Sequence, residues 1–101
     1  MAGLMRFVKK VVWDNVSVPA GGTSDPVDVS KVDKLLIFVK VSAATTITLQ
    51  VLSDGTYEDY DSITFTAAGQ NWWNIWSLAA DYIRFKTSAA ATITIIVKMK
   101  T

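Results

Sequence analysis

Residues 36–51 (LIFVKVSAATTITLQV) align without a gap on residues 82–97 (YIRFKTSAAATITIIV), an offset of 46, and nine of the sixteen pairs are identical. The shared residues include Lys40/Lys86, Ser42-Ala43-Ala44/Ser88-Ala89-Ala90 and Thr46-Ile47-Thr48/Thr92-Ile93-Thr94. In both copies apolar and polar residues alternate at period two, and Val, Ile and Thr dominate, the pattern of half-buried strands. The same offset pairs Val29 with Ile75 and Val32 with Leu78. One residue of slippage then pairs Val16-Ser17-Val18 with Ile63-Thr64-Phe65, and Gly22 with Gly69. The repeat thus runs over residues 16–51 and 63–97, four strands used twice. Two copies are too few for a solenoid. They suit an all-β, eight-stranded jelly-roll β-sandwich built from two pseudo-symmetric four-strand halves.

Strands are expected near 8–18, 26–30, 34–42, 45–52, 59–66, 71–77, 81–87 and 91–99. Between them stand the turn signals Pro19-Ala20-Gly21-Gly22, Ser53-Asp54-Gly55 and Ala67-Ala68-Gly69-Gln70-Asn71. Asp14-Asn15 interrupts the first strand and marks a β-bulge. Leu78-Ala79-Ala80 is too short for more than a helical turn. A chain of 101 residues is one domain's worth, with residues 1–10 reading as an N-terminal arm.

The chain has no His and no Cys. That removes Cys/His zinc sites, thiol nucleophiles, disulfides and the Ser-His-Asp relay, so neither enzyme activity nor a cofactor is expected. A net charge of +1 gives no global field for holding nucleic acid or an acidic membrane. No run approaches the roughly 18 apolar residues of a membrane span. The start is too short for a signal-peptide apolar region before Arg6, Lys9 and Lys10, so the protein is expected to stay in the cytoplasm where it is made.

Four groups of residues are candidates for function. In Trp72-Trp73-Asn74-Ile75-Trp76, the repeat matches Trp73 and Ile75 to Val27 and Val29, which assigns them to the core. Trp72 and Trp76 then stand on the outer face, about 13 Å apart at ~3.3 Å per residue. A covering loop, a subunit interface and a platform for sugar rings each explain exposed tryptophans. With Trp13 and the outward Arg84 and Lys86, they form the expected interface set. The acidic stretch Asp54, Glu58, Asp59 and Asp61 is a weak calcium candidate, against a charged hairpin turn and edge strand. As a glycosidase pair, Glu58 and Asp59 fail, because one small turn offers neither a cleft nor separated pKa values. Arg6, Lys9, Lys10, Lys98 and Lys100 come together if the first and last strands are neighbours. A nucleic-acid reader needs such charges interleaved with aromatics, and the tryptophans sit elsewhere in sequence. The basic patch and the acidic turn of neighbouring subunits can instead meet head to tail.

The segments V-P-A-G-G, D-K-L-L-I-F-V-K-V-S-A-A-T-T-I-T, S-D-G-T-Y, T-F-T-A-A-G and Y-I-R-F-K-T-S-A-A-A-T-I-T carry a resemblance. Together they resemble small β-sandwich proteins of tailed phages and archaeal viruses, virion components of the decoration or minor capsid type. Tyr82-Ile83-Arg84-Phe85 also resembles the last strands of discoidin-like galactose-binding sandwiches, whose loops carry polar ligands and often His. The resemblance implies a virion structural protein that packs against copies of itself or a coat protein. An extracellular filament or surface-layer subunit, and a carbohydrate-binding module using exposed Trp, are the alternatives.

Overall fold

The computed structural model describes residues 7–52, 54–76 and 80–100. Eight strands follow one another: β1 (Phe7–Val18), β2 (Val27–Asp28), β3 (Lys34–Val41), β4 (Thr45–Leu52), β5 (Tyr57–Phe65), β6 (Gly69–Trp76), β7 (Tyr82–Thr87) and β8 (Ala91–Lys100). They form two four-stranded antiparallel sheets, ordered β1-β8-β3-β6 and β2-β7-β4-β5. These are called here the β1 sheet and the β5 sheet. This is the strand order of a jelly roll, as expected from the repeat.

The internal repeat governs the pairing register. In the β1 sheet Ile37 pairs with Val97, Val39 with Ile95 and Val41 with Ile93. One repeat away, in the β5 sheet, Ile83 pairs with Val51, Phe85 with Leu49 and Thr87 with Ile47. The slipped segment obeys the same rule: Val16 lies opposite Ile93, and Ile63 opposite Ile47. Moving four strands along the chain therefore carries one sheet onto the other. Between the sheets lies an apolar core in which Ile37, Ile47, Leu49, Ile83, Phe85, Ile93, Ile95 and Val97 are fully buried.

The recurring Ser-Ala-Ala has a local cause. At Ser42 the backbone N–H donates to the Thr92 carbonyl at 3.0 Å, and the hydroxyl accepts from the Thr92 N–H at 2.8 Å. Ser88 makes the same two bonds with Thr46, at 3.0 and 2.9 Å. Each serine thus adds one rung where the chain leaves one sheet for the other. Beside the second turn, the buried hydroxyls of Thr45 and Thr87 lie 2.6 Å apart and satisfy one another.

The bulge falls at the expected place. The β1–β8 register shifts between Val11 and Trp13 and again between Trp13 and Val16, and Asn15 takes a left-handed φ of 56°. Its N–H donates to Thr94 Oγ1. Two expectations are corrected. Phe7–Lys10 pair with Lys100–Val97, so this part of the expected arm is strand, extended because β8 runs long enough to meet it. Residues 1–6 lie outside the described residues, as do Leu78 and Ala79. The second strand shrinks from five residues to two, because Asp28 Oδ1 accepts from both the Ser30 N–H and its hydroxyl and turns the chain. Those two bonds, the backbone one first, hold the Asp28 carboxyl below its ordinary range.

Candidate functional site

Alternation along the strands places two of the expected tryptophans on the outer face of the β1 sheet. Trp72 is 50% exposed and Trp76 63%, while Trp73 and Ile75 between them are buried. The sheet order then gathers residues that lie far apart in the chain. Val11, Ile96, Phe38 and Trp72 form one apolar row across all four strands. Beside it run Lys9, Lys98, Leu36 and Asn74, and next Lys100, Lys34 and Trp76. Phe38 and Trp72 pack with ring centroids 4.9 Å apart. The Lys34 ammonium sits 4.2 Å over the Trp76 ring, and that of Lys98 lies 5.9 Å from the Trp72 ring. A shallow trough lies here, lined by Lys34, Leu36, Asn74, Trp76, Lys98 and Lys100.

Charge on this sheet is one-sided. Its strands carry Lys9, Lys10, Lys34, Lys40, Lys98 and Lys100 against one carboxylate, Asp14, at the bulge. Lys9 stands directly opposite Lys98, and Lys34 opposite Lys100. Like charges directly opposite one another destabilise a sheet. Basic and aromatic side chains, separate in sequence, are therefore interleaved on one face, which corrects the expectation that they lie apart. Arg6 lies outside the described residues.

The other expected interface residues are not part of this face. Trp13 is half-buried and packs against the core, because it follows the first register shift and faces Ile95. Arg84 and Lys86 project from the opposite side of the molecule, on β7 of the β5 sheet. There the Arg84 Nε–H donates to Gln50 Oε1 at 2.7 Å, Gln50 Nε2 donates to Asp59 Oδ1 at 2.8 Å, and the guanidinium lies 4.0 Å over the Tyr57 ring. Arg84 is thus committed to its own sheet.

The acidic stretch is divided by a second bulge. Leu49 pairs with Asp61 and Gln50 with Asp59, which leaves Tyr60 as the extra residue, 51% exposed. Asp61 turns toward the other sheet and accepts from the Trp73 Nε1–H at 2.9 Å. Asp59 faces outward to Gln50, while Asp54 and Glu58 line a separate small depression. Among the described residues no three His, Cys, Asp or Glu side chains gather to hold a metal ion. The four expected calcium ligands do not converge, since the bulge aims neighbouring carboxylates at different partners.

Sequence reasoning missed Lys34, Leu36, Phe38, Ile96 and Val11 as members of the face. The signal was present: K-L-L-I-F-V-K-V and T-I-I-V are apolar at both parities, whereas an antiparallel strand with one wet face alternates.

No family model matches the chain, and no curated protein matches its sequence. Solved structures do match. The SPBc2 prophage-derived protein YomS superposes with a TM-score of 0.76 at 10% identity, over 100% of this chain and 98% of that one. The PBSX exported protein XepA gives 0.65 at 9% identity, over 92% of this chain and 36% of XepA. A protein of the disulfide-linked pili that form Bacillus endospore appendages gives 0.59 at 16% identity, over 99% and 90%. At such identities the likeness is one of fold, and this chain shares its β-sandwich with prophage-derived and appendage proteins.

Proposed function

We propose that this chain is a non-enzymatic structural subunit, of a virion or of a surface appendage, that works by associating with copies of itself. Its contact surface is the outer face of the β1 sheet, with Trp72 and Trp76 as anchors. The observation that carries the reading is the pair of tryptophans, half or more exposed on one face, with Trp72 on an apolar row that spans the sheet. Tryptophan is among the residues most enriched at interface hot spots. Contiguous exposed apolar surface of this kind marks contact sites. The shared fold with prophage-derived and appendage proteins supports the same reading.

A sugar platform is the weaker alternative. Lys34 already occupies one face of the Trp76 indole, and Phe38 packs on Trp72, which limits the flat surface open to a ring. The test is solution mass by light scattering behind a sizing column, over a concentration series, for the wild type and for Trp72→Ala with Trp76→Ala. The expected result is a concentration-dependent oligomer for the wild type and a folded monomer for the variant. A wild type that stays at 11.1 kDa throughout overturns the reading and points to a coat-protein partner or a glycan.

A further inference from the structure

Two lysine pairs set directly opposite one another, Lys9 with Lys98 and Lys34 with Lys100, cost this sheet stability in the isolated molecule. An acidic surface laid on the face removes that cost. The chain as a whole carries only +1, so the lysine excess of the β1 sheet is balanced elsewhere on the same molecule. Part of the balance sits on β5 and its hairpin, where Asp54, Glu58, Asp59 and Asp61 are all exposed, Asp59 and Asp61 beside the exposed Tyr60 and Asp54 and Glu58 at a neighbouring depression. From this we infer that the subunits associate head to tail: the acidic β5 edge of one copy docks on the lysine–tryptophan face of the next. The inference rests on the self-association proposed above and names its partner surface.

This occupant is favoured on four grounds. Two copies of the lysine face brought together set positive charge near positive charge, so a two-fold contact through this face is disfavoured. The acidic edge matches the trough in kind, an aromatic side chain flanked by carboxylates against aromatics flanked by ammonium groups. A single-stranded nucleic acid also offers negative charge, but it binds by stacking bases on open rings. Here the Lys34 ammonium stands over Trp76. The docking and docked surfaces belong to different sheets, so one copy presents both at once. Such a heterologous contact repeats, giving a ring where the rotation closes and a filament where it does not.

Two variants of the full chain test this. The face variant carries Lys34→Glu and Lys98→Glu. The edge variant carries Asp54→Lys and Glu58→Lys, and spares Asp59 and Asp61, which bond Gln50 and Trp73. Circular dichroism checks that each is folded. Each variant alone is expected to lose association by about tenfold or more, through like-charge contact. Mixed, they are expected to associate again with the two variants alternating, because the edge variant's intact face takes the face variant's intact edge and the reversed face and reversed edge are again of opposite charge. If the wild type associates and the edge variant associates equally well, the head-to-tail contact is wrong while self-association stands. If the wild type stays monomeric, both fall. Binding of a labelled oligo-dT by that monomer, lost in the face variant, identifies a nucleic-acid surface instead.

Discussion

On the outer face of the β1 sheet, positions 36, 38 and 96 hold Leu, Phe and Ile. One repeat away, on the outer face of the β5 sheet, the corresponding residues are Tyr82, Arg84 and Gln50. Trp76 corresponds to Ser30, and Asn74 to Asp28. The inward positions change much less in character: Ile37 matches Ile83, Ile47 matches Ile93, and Val51 matches Val97. Both halves need the same interior, because a sandwich core is shared and its volume is fixed by close packing. The exteriors are under no such common demand. One is polar and internally bonded, through Arg84, Gln50 and Asp59. The other is apolar and carries directly opposed lysine pairs. Where two copies of one motif keep their inside and diverge outside, the divergent face that violates the rules for a solvated sheet is the one on which the proposed contact is placed.

The strongest way to break the comparison is to cut the two cores at matched positions. Ile37 and Ile83 are both 0% exposed and occupy equivalent places in the register. Ile37→Ala and Ile83→Ala are each expected to cost about 2–5 kcal/mol, by lost transfer energy plus the cavity left behind. Urea denaturation measures both, and costs differing by more than that range would show that the cores are not equivalent. The two matched glycines must differ. A Cβ on Gly22 meets Val18 Cγ1 at 2.6 Å and the Pro19 carbonyl oxygen at 3.0 Å, and Val18 is buried and has nowhere to move. Gly22→Ala is expected to destabilise by about 1–3 kcal/mol. On Gly69 the nearest atom is Phe65 Cδ2 at 3.8 Å, ordinary contact, so Gly69→Ala is expected to leave the melting temperature nearly unchanged.

The serine rungs restore the equivalence on a smaller scale. Ser42→Ala and Ser88→Ala each remove one hydroxyl acceptor from a threonine N–H. Each is expected to cost about 0.5–1.5 kcal/mol, and the two costs should match within error in the same titration. Unequal losses would mean that only one of the turns bears on stability.

The repeat made most of this fold legible. Alternation gave each residue an inside or an outside, and the 46-residue offset carried that assignment from Val27 and Val29 to Trp73 and Ile75. Neither signal says which outside. Alternation is local to a strand, whereas Lys9, Lys34, Trp76 and Lys98 meet only because β8 and β3 lie between β1 and β6. For the same reason alternation alone groups Arg84 and Lys86 with the tryptophans as outward residues, although they belong to the opposite face. Bulges defeat alternation outright. Trp13 sits beside a register shift and points where a regular count does not put it, and the shift between Asp59 and Asp61 sends to opposite faces two carboxylates that a regular count puts on one.

The smallest effect discriminates between the faces most directly. Lys98 stands opposite Lys9 in the β1 sheet, whereas Lys86 stands opposite Thr48 in the β5 sheet. Replacing Lys98 by Glu turns a repulsive cross-strand pair into an attractive one. Lys98→Glu should therefore raise the stability of the monomer by about 0.2–1 kcal/mol at low salt. The gain shrinks as salt screens the pair, since both side chains are exposed. Lys86→Glu has no opposing lysine to relieve and should not show this salt-dependent gain. Thermal melts at low and high ionic strength, below the concentration at which copies associate, read the difference. If Lys98→Glu gains stability and loses association, the sheet gives up monomer stability to keep a surface fit for an acidic partner. If it gains nothing, the opposed lysines are already relieved within the molecule, and they no longer argue for a partner.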